Sequence, residues 1–394
     1  MLKKFNPAII YFLLWCCYKL QGVLYPVGDG ISQGILLILL MWSLFCFFEI
    51  NRFLKSVPQF IKGLNILVLL FTCYGVVLLI QNPDMYITEM DYIKVANFEY
   101  LKQIYTSLLP IYSFYYFTRK GLLEDKTLKM MTIVLFAVTI ANYMYYSAMY
   151  TMLSRGEGVT LNVGYSFLEL LPLILLLRLK PTHKYIFFVL CIVFIVLCVK
   201  RGAIVIGAIC YLWFILSNIQ SRRSKATAIF LSLLSLFVVY VYITYTISNN
   251  EYFLYRFEQT IEGDSSNRDL IFNHFWNHFI NESNLIRLLF GNGANSTLTI
   301  GVNYAHNDWL EIAVNNGVFG LIIYIVYFIL MIKDAIRIRK RDLLESNTMI
   351  MAFIILLMTS FFSMSYASVG LPLCIVLGYI SAKQDYKKAV TFNI

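Results

Sequence analysis

Charged residues are scarce in this chain. Asp, Glu, Lys and Arg make up 14% of its 394 residues, whereas a water-soluble domain carries about 25%. Apolar runs close to the ~20 residues that cross a bilayer recur along the whole length. The shortage of charge excludes a water-soluble globular protein. It predicts an all-α polytopic membrane protein, with residues 1–394 forming a single integral membrane domain.

Repeats and spacing patterns of reactive side chains are also lacking. The eight cysteines show neither metal-ligand spacing nor a disulfide framework, and we interpret them as small apolar core residues. No internal repeat is evident, and Lys19 and Glu169 are the ionisable residues that stand out inside apolar runs. Transporters and flippases tend to have repeats and mid-bilayer charges. Glu169 keeps that alternative open, and otherwise it is a hydrogen-bonded residue near a cavity wall.

The apolar runs predict about twelve spans, of which the fourth is short. They cover residues 8–24, 31–48, 64–80, 104–117, 128–150, 162–179, 185–199, 202–219, 226–247, 309–332, 347–363 and 367–381. With Lys3 and Lys4 in the cytoplasm, most basic residues fall in cytoplasmic segments, as the positive-inside rule requires. We therefore expect both termini in the cytoplasm. The basic excess behind the net charge of +10 then orients the chain and contacts anionic lipid. It does not indicate a nucleic-acid partner.

Residues 248–308 form the one long polar segment, which this topology places outside. Asp269 to Ile280 predicts an amphipathic helix within it, with capping residues at Ser265 and Ser266. Its aromatic face comprises Leu270, Phe272, Phe275, Trp276 and Phe279. We expect this helix to lie flat on the outer leaflet.

Two features of this segment could bind a ligand. His274 and His278 lie four residues apart, but without a third ligand we interpret them as a polar helix face and expect no metal. Gly291 and Gly293 allow a left-handed backbone. They predict either an ordinary turn or a backbone cradle for phosphate or sugar.

The segment closes with a histidine at the mouth of an apolar helix. His306 is followed by Asn307 and Asp308, either of which can cap that helix, and Glu311 lies in its first turn. An imidazole at a water interface is a candidate general base near neutral pH. We therefore predict that His306 is catalytic. Asn307, Asp308, Glu311, Tyr304, Gly291 and Gly293 are the candidate substrate contacts, with Asn303 and Trp309 added by proximity.

Lys200 and Arg201 break the charge pattern, because they lie in a tight outer connection between two spans. Arg201 either snorkels to outer headgroups or faces a water-filled cavity and binds an anion. Snorkelling tolerates Arg201→Lys, whereas bidentate phosphate binding does not.

Four motifs together resemble the O-antigen ligase and polymerase superfamily, over about residues 160–335. HNDWLEIAVNNGVFGL, starting at His306, resembles the family signature. KRGAIVIGA from Lys200, SSNRDLIFNHFW from Ser265 and LLFGNGANS from Leu288 are similar to its other motifs in order and spacing.

The resemblance implies a GT-C-like fold of about twelve spans with a large periplasmic loop over a cavity. It implies a metal-independent, inverting glycosyltransferase without a cofactor, acting on glycans linked to undecaprenyl pyrophosphate. His306 then activates the acceptor hydroxyl, while Arg201 and Arg268 bind pyrophosphate. Lys200 stands where many relatives have a small or polar residue, and would add a second cation.

Polymerase and ligase differ only in the acceptor of the transferred chain. The short loops outside the main segment and the HNDWLE sequence resemble those of polymerases more than those of ligases. We therefore expect polymerisation of repeat units into a surface polysaccharide such as O-antigen. A ligase acting on lipid A–core is the alternative, followed by ligation to protein and by a transporter. The expected location is the bacterial inner membrane, with the active site facing the periplasm. The expected partners are lipid-linked glycans, the bilayer, a chain-length regulator and other polysaccharide-assembly proteins.

Overall fold

The computed structural model consists of helices. It describes residues 6–52, 57–81, 97–153, 160–221, 225–262, 268–301, 304–363, 366 and 368–391, and these ranges contain no strand. The helices are α1 Pro7–Lys19, α2 Gly30–Asn51, α3 Gln59–Gln81, α4 Asn97–Arg119, α5 Asp125–Leu153, α6 Val163–Leu176, α7 Pro181–Leu197, α8 Arg201–Ser221, α9 Lys225–Asn249, α10 Glu251–Ile261, α11 Arg268–Ile280, α12 Leu285–Phe290, α13 Ser296–Ile300, α14 Asp308–Arg339, α15 Leu343–Phe362 and α16 Leu371–Thr391.

Each predicted span corresponds to a helix. Seven of them (α2, α3, α5, α8, α9, α14 and α15) are long and apolar enough to cross a membrane. Helices α1, α6, α7 and the Leu371–Gln384 part of α16 are shorter and apolar. Helix α4 is more polar and begins earlier than predicted, with an ion pair between Glu99 and Lys102 at 2.8 Å near its N-terminus. The chain is therefore an all-α multi-pass membrane protein.

Helices α4, α6 and α16 lie at the centre of the bundle. Helix α16 packs against α4 and α6, while α14 packs against α15 and α3. Gly378 allows α16 to approach α4 closely, because a Cβ there would lie 2.5 Å from the carbonyl oxygen of Ile111. Small residues permit such backbone contact between membrane helices. At the periphery, α9 exposes Phe230, Leu233 and Phe237, as expected of side chains that face lipid.

Helices α10 to α13 occupy the polar segment between α9 and α14. Helix α11 covers the predicted range and starts one residue earlier, at Arg268. Its predicted aromatic face is divided, however. Phe275 is buried against Ala305 and Val314, whereas Leu270 and Trp276 are exposed. One residue of the predicted face therefore packs inward, because Phe275 anchors α11 to the start of α14, and the location of α11 on the outer leaflet stays a prediction. The predicted cap at residues 265 and 266 lies outside the described residues.

Candidate functional site

A cavity of about 400 Å³ lies where α6 and α8 begin and α15 ends. It contains the cations Lys19, Lys200 and Arg268, the imidazole of His306 and the carboxylate of Glu169. The remaining lining residues are Asn162, Tyr165, Ser166, Ile355, Leu356, Thr359, Ser363, Ser368, Val369, Gly370 and Leu373. Lys200, Arg268 and His306, three of the predicted site residues, thus share one cavity. The first and last of them are 106 positions apart in the chain.

Lys200 reaches the cavity from the turn between α7 and α8. Val199 adopts a left-handed backbone, with φ 52°, which is uncommon for a β-branched residue. The turn is held by the Leu161 amide, which donates to the Cys198 carbonyl at 2.9 Å. Burial lowers the pKa of Lys200, and the positive charges of Arg268 and Arg256 lower it further. Cations gathered in this way repel one another, and a nearby anion would relieve that repulsion.

Arg268 is the first residue of α11 and is held by the far end of another helix. Its Nη1 donates to the carbonyl of Phe362 at 2.8 Å, at the last residue of α15. Carbonyls at a helix C-terminus carry partial negative charge and favour a cation. One edge of the guanidinium is thereby fixed at the cavity wall.

His306 lies in the short connection that leads into α14. Its backbone is left-handed, with φ 51°, a conformation that a non-glycine residue keeps only when its surroundings impose it. Asn307 caps α14 by accepting from the amides of Trp309 and Leu310, which confirms the predicted capping role. The Asn307 Nδ2 also approaches the Phe361 carbonyl at 3.3 Å. The His306 connection is therefore tied to the end of α15, next to the residue that holds Arg268.

Burial lowers the pKa of His306 below its usual range, with further lowering from the positive charges of Arg268 and Lys200. The imidazole is therefore neutral at neutral pH and can accept a proton. A bound anion would offset the two cations and raise the pKa of His306, which strengthens it as a base when substrate is present.

Two carboxylates that the sequence suggested as substrate contacts hold this connection instead. Glu311 is fully buried and accepts from the Ala305 amide at 2.8 Å and from the Thr297 hydroxyl. Asp308 is also fully buried and accepts from the Tyr324 hydroxyl at 2.6 Å and from the Tyr366 amide at 3.1 Å. Because these oxygens bind protein donors and neither residue lines the cavity, the structure supports a positioning role for both.

The glycine turn also binds protein rather than forming a cradle at the cavity. Helix α14 is broken at Gly317, which has φ 67° and a non-helical ψ. The amides of Asn292 and Gly293 donate to the carbonyls of Val314 and Asn315, at 2.9 and 3.0 Å, just before the break. A helix break frees such carbonyls, which need other donors when buried.

Glycine is required on both sides of this contact. A Cβ at Gly291 would collide with the backbone of Asn315, and one at Gly317 would lie 2.5 Å from the carbonyl of Leu289. The structure therefore does not support the predicted cradle. Gly291 and Gly293 lock the broken helix that carries the His306 connection.

Of the three predicted diphosphate ligands, Arg201 does not line this cavity. It is the first residue of α8, and it is not among the described residues that line the cavity, whereas the adjacent Lys200 is. At a helix start, adjacent side chains point in different directions, so one member of a basic pair can line a cavity without the other. The sequence did not reveal which of the two does so.

The other predicted contacts lie around this group. Tyr304 is half-buried, and burial, followed by the charges of Glu311 and Glu99, raises its pKa to about 12. Trp309 anchors α14, because its Nε1 donates to Ser360 at 3.0 Å. Asn303 lies outside the described residues. Among the helical histidines, His274 approaches the Ile300 carbonyl and His278 the side chain of Asn292, so both hold α11 to the loop.

Helix α6 contributes a cavity wall that the motifs did not indicate. The wall begins with Asn162, and Tyr165, Ser166 and Glu169 follow it by three, four and seven positions. This spacing places them on one helix face, and it is a signal that was present in the sequence. Glu169 accepts from the Gly370 amide at 2.8 Å, which supports its interpretation as a hydrogen-bonded residue at a cavity wall.

Comparison with known families identifies the region that contains Lys200, Arg268 and His306. Residues 186–325 match the family model described as O-antigen ligase. The match includes Lys200, Arg201, Arg268 and His306, and it confirms the resemblance inferred from the four motifs. No curated protein matches the chain.

Proposed function

We propose that this multi-pass membrane protein, with its O-antigen ligase region at residues 186–325, transfers a glycan from undecaprenyl pyrophosphate to a sugar hydroxyl. The observation that supports the proposal is the single cavity shared by Lys200, Arg268 and His306. Cations and a neutral base are the groups that such a transfer needs, and here they lie together.

Lys200 and Arg268 bind the diphosphate in this proposal. As the bond between the anomeric carbon and the diphosphate oxygen breaks, its electron pair stays with the diphosphate, whose negative charge grows. Preorganised cations in a partly desolvated site stabilise that charge. The Phe362 carbonyl accepts from one edge of the Arg268 guanidinium. The remaining N–H groups of the guanidinium donate to phosphate oxygens.

His306 takes the proton of the acceptor in this proposal. The acceptor hydroxyl oxygen forms a bond to the anomeric carbon, while its proton passes to the neutral imidazole. A positioned base contributes typically ~10²–10⁴-fold to such a step. Attack opposite to the leaving diphosphate inverts the anomeric centre, and no group on this route requires a metal ion.

The acceptor distinguishes polymerase from ligase. We propose that it is another lipid-linked repeat unit, so that the product is a polysaccharide chain such as O-antigen. The description of the matching family favours the second candidate, transfer of the chain to lipid A–core. A chain-length regulator and other assembly proteins are proposed partners of the polymerase.

The decisive experiment supplies the purified protein with one lipid-pyrophosphate-linked repeat unit. A ladder of products without any added core supports the polymerase, whereas transfer only after addition of lipid A–core supports the ligase. We expect His306→Ala to reduce ladder formation by at least 10²-fold. His183→Ala is the matched control, because His183 is exposed near the start of α7 and lies outside the cavity. A full ladder from His306→Ala would eliminate the general-base role.

A further inference from the structure

A second cavity lies beside the first, at the end of the bundle where α1 and α5 end and α4 and α6 begin. Its volume is about 580 Å³, which is within the ~300–1,000 Å³ typical of small-ligand sites. Its lining residues are Trp15, Tyr18, Lys19, Gln21, Thr106, Ser107, Asn142, Tyr146, Tyr150, Thr160, Leu161, Asn162, Val163, Ser166, Ser368, Val369 and Leu371. We call it the aromatic chamber, and all these residues lie outside the range that matches the O-antigen ligase family.

The aromatic chamber adjoins the cavity that contains His306. The two share Lys19, Asn162, Ser166, Ser368 and Val369 as lining residues. A ligand in the chamber would therefore contact the same wall as a diphosphate bound by Lys200 and Arg268. One substrate molecule, or two reacting ones, can extend across that shared wall.

The lining of the chamber differs from that of its neighbour. Its lining combines amides, hydroxyls and aromatic rings, and Lys19 is the one charged residue among its described lining residues. The first cavity, in contrast, contains Lys200 and Arg268 as well as Lys19. The chamber is therefore less suited to a diphosphate. Nor does it suit an acyl chain, because covering amides and hydroxyls with hydrocarbon would remove their hydrogen bonds to water.

A saccharide fits both kinds of lining group. Sugar hydroxyls donate to and accept from amides such as those of Gln21, Asn142 and Asn162. The C–H face of a sugar ring packs on an aromatic face, and Tyr146 and Tyr150 present two rings stacked at 29° with centroids 6.4 Å apart. The chamber volume accommodates a short oligosaccharide rather than a long chain.

We propose that the aromatic chamber binds the uncharged sugar residues of a substrate glycan while its neighbour binds diphosphate. The identity of the glycan rests on the proposed function, whereas the saccharide site itself rests on the lining of the chamber. Two sources share this chemistry, since both the donor glycan and the acceptor glycan carry sugars next to the reacting centre. Two arms of the experiment below distinguish them.

The test compares Tyr150→Ala with Tyr245→Ala. Both tyrosines are exposed, at 41% and 65%, so neither change empties the core, and Tyr245 lies on α9 away from the chamber. Asn142→Ala forms a second pair with Asn249→Ala, since Asn249 is exposed outside the chamber and donates to the carbonyl of Tyr245 in its own helix. Binding of the free repeat-unit oligosaccharide, without lipid or diphosphate, is measured by calorimetry on the purified full-length protein.

We expect both chamber variants to weaken oligosaccharide binding at least tenfold, and both controls to bind as the wild type does. In one kinetic arm the free oligosaccharide is the acceptor, and in the other the lipid-linked unit is the varied donor. A raised KM only in the first arm assigns the chamber to the acceptor, and only in the second to the donor. Unchanged binding and unchanged KM in both arms would overturn the proposal.

Failure of the chamber and failure of the proposed function are distinguishable. If His306→Ala abolishes the ladder while the chamber variants behave as wild type, the chamber proposal fails and the transferase stands. If the wild type makes no product yet the chamber variants lose oligosaccharide binding, the saccharide site stands and the transferase proposal fails.

Discussion

At the residue scale, the chemistry depends on how neighbouring charges act on His306. Burial lowers the pKa of His306, and the positive charges of Arg268 and Lys200 lower it further, so its availability as a base depends in part on the cations that bind the leaving group in the proposed reaction. In the proposed reaction the same two cations perform two functions, so substitution of either one should change both the affinity for the donor and the pH dependence of the rate.

Lys200→Met should move the acid limb of the kcat/KM profile to higher pH. His306 acts as a base when neutral, so activity falls as the pH drops through its pKa. In the wild type that pKa lies below the usual value of about 6.5. Removing the Lys200 charge raises the pKa and therefore shifts the loss of activity upward. A pH series of initial rates measures this effect.

Lys120→Met is the control for that series, because Lys120 is an exposed cation outside the cavity. It should leave the acid limb in place. An unmoved limb in Lys200→Met would mean that the charge of Lys200 does not act on His306.

Arg201 is the residue for which sequence and structure point in different directions. The family motif assigns it to pyrophosphate, yet Lys200 is the member of the pair that lines the cavity. If Lys200 is the diphosphate ligand, Arg201 needs only its positive charge, which Lys preserves. We therefore expect Arg201→Lys to retain activity within about threefold. Donor KM and kcat measure this. A loss of 100-fold or more would restore Arg201 as a bidentate phosphate ligand.

At the scale of elements, the broken helix α14 is the part that positions His306. Its first segment is capped by Asn307, anchored by Asp308 and Glu311, and locked at Gly317 by the amides of Asn292 and Gly293. A membrane helix can tolerate such a break because neighbouring groups satisfy its carbonyls. Most residues of the motif from His306 to Gly320 therefore hold the short connection that contains His306.

Gly317→Ala should destabilise the protein more than Gly28→Ala. Both glycines have a positive φ, 67° and 77°, and a residue forced into that region costs about 1–3 kcal/mol. An added Cβ at Gly317 also meets the Leu289 carbonyl at 2.5 Å, whereas one at Gly28 meets nothing within 4 Å. Thermal unfolding midpoints in detergent compare the two variants. Equal midpoints would show that the contact between the glycine turn and α14 contributes little.

At the scale of the whole molecule, the proposed reaction requires the cavity to open away from the cytoplasm. The distribution of Lys and Arg predicts both termini inside and the segment between α9 and α14 outside. A phosphatase fused after Asn249, at the end of α9, should be active, and a fluorescent protein fused to the C-terminus should fluoresce. Cellular activity assays of the two fusions measure this. The reverse pattern would place His306 on the cytoplasmic side and contradict the proposed donor.

Most of the helices and part of the site could be predicted from sequence alone. Long apolar runs determine spans, because a bilayer admits only backbone that bonds within itself. The Asn307 cap and the range of α11 are also local, since capping and helical periodicity involve residues a few positions apart. The division of the α11 face was not predictable in this way, because Phe275 packs against residues around 30 to 40 positions later in the chain.

The sequence by itself determined that this is a multi-pass helical membrane protein with a polar segment ending in His306, because composition, charge distribution and capping act over short distances. Only the tertiary structure decided that Lys200 rather than Arg201 lines the cavity, and that Asp308, Glu311 and the glycine turn hold the loop. It also placed Lys19, Asn162 and Ser166 at the wall shared with the aromatic chamber. Those outcomes depend on packing between helices far apart in the chain, such as α1, α6, α15 and α16, which no local pattern specifies.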